Sequence, residues 1–276
     1  MVATNLLKRV FRKLAYEIMY AGTTVSGFWL YYFVKRRTIV FIGSAQRVGS
    51  TLLKALLAEA PDVSHLPEVS FKDVRLNPYN FYYYCYKMSP KRIIILKKPA
   101  SIFPEKYPRI DFPFIKLIIV YRHPRTWHRS MRDVFKPWES NLPIVDSTMT
   151  DQDMLNYWCK SYEALLDNPK LNGIPRIFVS YEELIAKPVK TTRRVFAFIG
   201  SERLDGCDTY HHPENFEWAW GSDDAGEKIK QLRIVPPGKE ETVAGAAWEN
   251  LLAQNARFTA LWGRLEGAED HMRLFA

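Results

Sequence analysis

The sequence predicts an α/β fold in three layers, with a central, mostly parallel sheet flanked by helices. Three observations predict it. Short apolar runs recur at 38–42, 92–96, 115–121 and 176–179, and their β-branched character suits strands buried on both faces. Helical periodicity follows the last two runs, at 126–135 and 189–199, and appears again at 51–60 and 151–167. Strands that alternate with helices place parallel strands side by side under helical layers.

Before the first strand, Leu7, Val10, Phe11, Leu14, Ile18, Ala21, Val25 and Phe28 recur at three- and four-residue intervals and mark one helical face over 5–31. Lys8, Arg9, Arg12 and Lys13 fall on the other side of its first half. Residues 1–34 are therefore an amphipathic helix, either lying in a membrane interface or docked on its own domain with a solvated basic face. The apolar stretch 18–34 is at the lower limit for crossing a bilayer and contains Thr23, Thr24 and Ser26. No small-residue cleavage site follows, so a cleaved signal peptide is not expected. Residues 35–276 read as one α/β domain, a length that suits a single domain with insertions. Within it, 136–150 and 201–245 read as loops.

Composition narrows the partners. A formal charge of +9 implies an anionic one: nucleic acid, anionic lipid or a multiply phosphorylated cofactor. Nucleic acid is disfavoured, because the basic residues form no single stripe with interleaved aromatics. Aromatic content is high at 14%, which serves either a ring-rich core or an aromatic-lined groove or membrane-facing surface. Cys85, Cys159 and Cys207 are scattered without CxxC spacing. No metal site or disulfide framework is expected, and a reducing, cytoplasmic setting is the default, with the membrane surface as an option if the 1–34 helix lies in an interface.

The strongest local signal is the strand–turn–helix at 38–60. It sets Gln46-Arg47-Val48-Gly49-Ser50-Thr51 between a buried strand and a helix N-terminus, where backbone N–H groups and the helix dipole favour an anion. Gly49 permits close backbone approach, Ser50 and Thr51 add hydroxyls, and Arg47 adds fixed charge. A nucleotide-hydrolysing P-loop requires Gly-Lys-Ser/Thr here. The triplet is Gly49-Ser50-Thr51 instead, so the turn is P-loop-like but lacks the phosphate-bridging lysine.

A second motif ends the 115–121 strand at Arg122-His123-Pro124-Arg125, with Ser130 eight residues after Arg122. Arg122 at a strand's carboxyl end and Ser130 in the next helix are placed to converge on one phosphate, because ligands of open α/β sheets bind at that edge.

Together these motifs resemble the family of sulfotransferases dependent on 3′-phosphoadenosine 5′-phosphosulfate (PAPS), in its bacterial and carbohydrate-type branch. The Arg47-x-Gly49-Ser50-Thr51 turn looks like that family's 5′-phosphosulfate loop, and Arg122-x-Pro124…Ser130 like its 3′-phosphate motif. Tyr181-Glu182-Glu183-Leu184, followed by Pro188 and Phe196–Gly200, is similar to its Tyr-Glu-Asp-Leu…Pro…Phe-Leu-Gly segment, whose tyrosine helps position the adenine. Leu96-Lys97-Lys98-Pro99 is similar to its Leu-Lys-Ser-Pro motif. The four matches occur in family order across 38–200. The family's glycine-rich carboxyl-terminal loop is not clearly present; Arg233 and Lys239 are the candidates for its role.

The resemblance implies sulfuryl transfer from PAPS, without a metal, to a hydroxyl or amine. It fades in the acceptor-binding parts, so the acceptor class does not carry over and a carbohydrate or lipid-linked molecule is one option for it. Arg47, Val48, Gly49, Ser50, Thr51, Arg122, Ser130 and Tyr181 are the expected cofactor contacts. Arg47 is expected to stabilise the leaving oxygen, with Lys97 as a second cation. Glu68 is the candidate base, since some family members place a catalytic glutamate there. His65 is the alternative, because imidazole titrates near neutrality. A P-loop kinase and a non-enzymatic basic membrane-binding module are the competing functions.

Overall fold

A computed structural model of the chain describes residues 2–34, 36–64, 77–97, 115–134, 149–211, 231–234 and 245–273. Four strands form one sheet: β1 (Thr38–Ser44), β2 (Ile93–Lys97), β3 (Ile115–Tyr121) and β4 (Arg176–Ser180). Their order is β2-β1-β3-β4 and every pairing is parallel. The apolar runs explain this directly. Ile39, Val40, Ile93, Ile94, Ile95, Ile118, Ile119 and Val120 have no exposed surface, which is possible only where helices cover both faces of the sheet. Each such side chain contributes about 1.5–3 kcal/mol of hydrophobic stabilisation.

The order places a topological switch point between β1 and β3. From β1 the chain crosses to β2 on one side, and from β3 it crosses to β4 on the other. Ser44 pairs with Val120, so the turns that follow β1 and β3 leave the sheet side by side. Crevices of this kind are where open α/β sheets bind ligands.

The helices are α1 (Val2–Phe33), α2 (Ser50–Leu57), α3 (Pro78–Met88), α4 (Pro124–Val134), α5 (Asp151–Leu166), α6 (Tyr181–Ala186), α7 (Pro188–Ile199), α8 (Ala246–Gln254) and α9 (Ala256–Arg273). Local chemistry sets several boundaries. Thr150 and Asp153 form a reciprocal capping box at the start of α5. Ser180 caps α6, and Pro188 opens α7 where its missing N–H costs nothing.

Four helices lie outside the sequence-based expectations: α3, the short α6, α8 and α9. α3 carries its own start signal, since Asn77 accepts from the Asn80 N–H at 2.8 Å and Pro78 is the first helical residue. Its ring-rich segment Phe81–Tyr84 favours strand as readily as helix when read alone. α8 and α9 fill the carboxyl-terminal segment, and Trp248, Phe258, Leu261 and Leu265 join the core. The expected loops at 136–150 and 201–245 are largely outside the described residues; 201–208 is irregular, and Thr209 forms an isolated antiparallel bridge with Arg233. Among the described residues, no helix is long and apolar enough to cross a membrane.

α1 packs along α3 mostly outside its apolar stripe, of which Phe28 meets the Tyr79 ring edge-on at 5.2 Å between centroids. The inward face is made of Tyr20, Thr23, Thr24, Gly27 and Tyr31. The Asn77 amide donates to Tyr20 Oη at 3.0 Å and to Thr24 Oγ1 at 2.8 Å, and the Asn80 amide donates to Thr23 Oγ1. A Cβ at residue 27 would lie 1.7 Å from the Tyr79 carbonyl oxygen, so only glycine allows this approach. Periodicity had suggested a choice between a lipid-facing stripe and a docked helix with a basic solvated face. The helix is docked by a third surface, polar and aromatic, that an apolar count does not see.

Candidate active site

The site grows from the ends of β1 and β3. β1 ends at Ser44 and the chain turns through Ala45–Gly49 into α2. Arg47 has φ +62° and Gly49 has φ +84°. Glycine adopts that region freely, whereas arginine there is uncommon and is kept only when its surroundings over-determine it. Here they do. The Gln46 N–H donates to Tyr157 Oη of α5 at 3.3 Å, and the Gln46 carbonyl accepts from the Trp127 indole of α4 at 2.7 Å. The Arg47 carbonyl accepts from Arg122 Nη1 at 3.3 Å. Both rings are buried, and burial raises the Tyr157 phenol above its ordinary value, so it stays a neutral hydrogen-bonding group.

Arg122, one residue past β3, is 5% exposed. Its Nε donates to Thr126 Oγ1 at 3.1 Å, and its guanidinium carbon lies 4.2 Å from the centroid of the Tyr181 ring. Its carbonyl accepts from the Trp158 indole at 3.1 Å, and the Val120 carbonyl accepts from Tyr162 Oη at 3.0 Å. α5 thus holds the end of β3 with two aromatic donors, and the loop after β1 with an aromatic acceptor, Tyr157.

Ser130, in the second turn of α4, accepts from Arg47 Nε at 3.3 Å across 83 residues of chain. Lys97, at the last position of β2, donates through Nζ to Thr51 Oγ1 at 2.6 Å and is nearly buried. Tyr181 begins α6, directly after β4. Its ring lies where a side chain on Gly49 would be: a Cβ there would sit 2.4 Å from Tyr181 Cδ2. Val48 and Ser50 are buried, the latter in the first turn of α2. Of the residues singled out by sequence, Arg47, Val48, Gly49, Ser50, Thr51, Lys97, Arg122, Ser130 and Tyr181 therefore belong to one edge of the sheet. Glu68 and its alternative His65 lie outside the described residues, as do Lys98, Pro99 and Lys239. Arg233 is exposed.

Glu182 is a site residue that sequence reasoning passed over. Its Oε1 accepts from the His123 N–H at 3.1 Å and from Thr126 Oγ1 at 2.8 Å, and its Oε2 accepts from Ser180 Oγ at 3.1 Å. One carboxylate thereby ties the start of α6, which carries Tyr181, to the turn that carries Arg122. Burial pushes the His123 imidazole below its ordinary value, with the Glu182 charge pulling the other way. α8 braces the same helix from outside: Arg125 pairs with Glu249 in two bonds at 2.6 and 2.7 Å, and Trp248 stacks on His128 with centroids 4.0 Å apart. Asp151 holds His128 at 2.8 Å from the other side. The signal for Trp127 was a buried indole, which must find an acceptor; which carbonyl it would find is a tertiary matter.

The arrangement offers two arginines, a buried lysine, hydroxyls and a helix N-terminus to an anion. Residues 71–205 match the model of the Sulfotransferase family. Over that segment the chain is similar to the sulfotransferases. The matched segment contains Lys97, Arg122, Ser130 and Tyr181 and begins after the 46–51 turn. Among solved structures, the chain is similar to the sulfotransferase domain from the curacin biosynthetic pathway, with 16% identity over 84% of this chain and 98% of that one, at a TM-score of 0.48. It is also similar to the sulfotransferase domain from the Synechococcus PCC 7002 olefin synthase (19% identity, 80% and 96% covered, TM-score 0.48). A third is mouse sulfotransferase SULT7A1 complexed with PAP (18% identity, 87% of each chain, TM-score 0.46). No curated protein matches the chain. Among the described residues, no group of His, Cys, Asp or Glu is arranged to hold a metal ion.

The contact between Gly49 and Tyr181 makes a direct prediction. Gly49→Ala adds a Cβ both at positive φ and into the Tyr181 ring. The variant is expected to lose about 1–3 kcal/mol of stability and to bind adenosine 3′,5′-bisphosphate more weakly than Tyr181→Phe does. Urea denaturation and calorimetric titration of both variants check this. Equal affinities would show that the ring has room to move.

Proposed function

We propose that the chain transfers a sulfuryl group from PAPS to a hydroxyl or amine of a small-molecule acceptor. The observation that carries the reading is the convergence of Arg47, Ser130, Arg122 and Tyr181 at the switch point between β1 and β3. A doubly anionic nucleotide needs cations at both its ends, and this edge has one on each of two neighbouring strands. Arg47 sits in a strained conformation locked by Trp127 and Tyr157, which is the kind of strain that positioned functional groups carry.

PAPS, when bound, supplies an activated sulfuryl group. The chain's own residues have three tasks. Arg122 and Ser130 hold the 3′-phosphate, with Glu182 and Thr126 fixing the direction of the guanidinium. The amides at 49–51, with Ser50 and Thr51, hold the 5′ end at the N-terminus of α2, and Tyr181 supports the adenine. Arg47 and Lys97 stabilise the negative charge that develops on the leaving oxygen. Transfer of this kind asks for alignment and charge stabilisation more than covalent work by the protein, as phosphoryl transfer does. Glu68 takes the acceptor's proton in this reading, with His65 as the alternative. The high aromatic content and the amphipathic α1 support a lipid-linked or hydrophobic acceptor.

Isothermal titration of the purified chain with adenosine 3′,5′-bisphosphate, and separately with Mg-ATP, tests the assignment. Binding of the bisphosphate with no heat from Mg-ATP is expected. Heat from Mg-ATP alone would return the chain to the kinase reading, which the absent lysine after Gly49 argues against.

A further inference from the structure

Eleven large hydrophobic side chains are markedly exposed among the described residues, and nine of them lie on α1. Phe11, Leu14, Ile18, Met19, Val25, Trp29 and Phe33 are each more than half exposed. At 100° per residue all but Met19 fall within one sector about 100° wide, with Met19 about 40° beyond its edge, along residues 11–33 of the helix. The opposite sector in the second half of α1 is the polar and aromatic face held by Asn77, Asn80 and Tyr82. A helix that needed burial within its own domain would turn its apolar side inward. This one is pinned the other way round, by three amide hydrogen bonds and by a glycine with no room for a side chain.

Charge identifies the occupant. In the sequence Lys8, Arg9, Arg12 and Lys13 fall outside the apolar stripe, on the other side of the first half of α1. Apolar groups on one side, basic residues on the other and Trp29 near the far end form the pattern of a helix lying in the plane of a lipid–water interface. We propose that the outward face of α1 seats the domain on an anionic bilayer surface, with the inward face serving as a rigid mount. The stripe enters the acyl boundary while the basic residues of the amino-terminal half reach for lipid headgroups, each basic residue near the surface adding to the attraction. This inference does not depend on sulfuryl transfer.

The test is flotation of the full chain with two vesicle types at low salt: phosphatidylcholine alone, and phosphatidylcholine with about one-third phosphatidylserine. The parent is expected to float with the anionic vesicles at least tenfold better than with the neutral ones, and to lose that preference in high salt. The double variant Ile18→Glu/Val25→Glu places two charges on side chains already exposed. It is expected to lose at least tenfold in vesicle affinity while keeping its circular dichroism spectrum and its bisphosphate affinity. A parent that stays with the unbound fraction for both vesicle types overturns the proposal. So does equal flotation with neutral vesicles, which removes the charge argument. A parent that runs as a dimer split by the double variant, without flotation, assigns the stripe to a second copy of the chain instead.

Discussion

Arg47→Gly is expected to abolish turnover while leaving the protein at least as stable as Arg47→Ala. The two variants remove the same guanidinium, so both lose the cation aimed at the leaving oxygen. Loss of one preorganised group of this type costs about 10²–10³ in rate. Their backbones differ. At φ +62°, alanine retains the steric cost of the left-handed region and glycine does not, a difference of about 1 kcal/mol. Both also lose the hydrogen bond to Ser130. Single-turnover rates of labelled sulfate transfer and urea denaturation of the three proteins are the measurements. A glycine variant that turns over at the parental rate would remove Arg47 from the chemistry. A glycine variant less stable than the alanine variant would show that the loop does not hold its strained form in solution.

The second large effect is expected at Arg122, in affinity more than in rate. Its guanidinium is almost fully buried and engaged by Thr126, by the Arg47 carbonyl and by the Tyr181 ring. Removing a buried charge that would meet a phosphate costs about 2–5 kcal/mol, or roughly 30- to several-thousand-fold in Kd. Arg122→Ala is expected to fall in that range for adenosine 3′,5′-bisphosphate. Because the arginine also supports the loop, Arg122→Lys is the informative companion. A lysine keeps the charge but cannot reproduce a planar fork that donates to Thr126 and to the Arg47 carbonyl while stacking on Tyr181. Its affinity is expected to lie between the parent and the alanine variant, with thermal stability closer to the parent. Calorimetry beside a melting curve of the ligand-free proteins separates the contributions. An alanine variant that keeps parental affinity would place the 3′-phosphate elsewhere.

The two expectations differ in how far sequence supported them. That Arg122 stands at the end of a strand was legible, because Ile115–Tyr121 is an unbroken apolar run followed by a charged turn with Pro124. That Arg47 faces Ser130 was a hypothesis from motif order, and the geometry brings the two side chains within 3.3 Å. The conformation of Arg47 was not legible at all. Positive φ at an arginine follows from what holds Gln46 on both sides, and those groups come from α4 and α5, 81 and 111 residues away. Glu182 is similar. Its letter appears in a recognisable segment, but its bonds reach back to His123 and Thr126 on another strand's turn.

By itself the sequence determined the parallel α/β character of this protein, the strand positions to within about two residues, and the glycine-containing turn between β1 and α2. These follow from local rules: β-branched apolar runs belong in buried strands, and a glycine before hydroxyl residues at a helix start exposes backbone donors. Only the tertiary structure decided which side of α1 is held by the domain, that Tyr181 lies against Gly49, and that four helices steady the pair of arginines. Periodicity reports how much each residue gains by leaving water. It carries no information on which distant carbonyl, ring or amide will be there to receive it, and at this edge of the sheet those partners set the geometry.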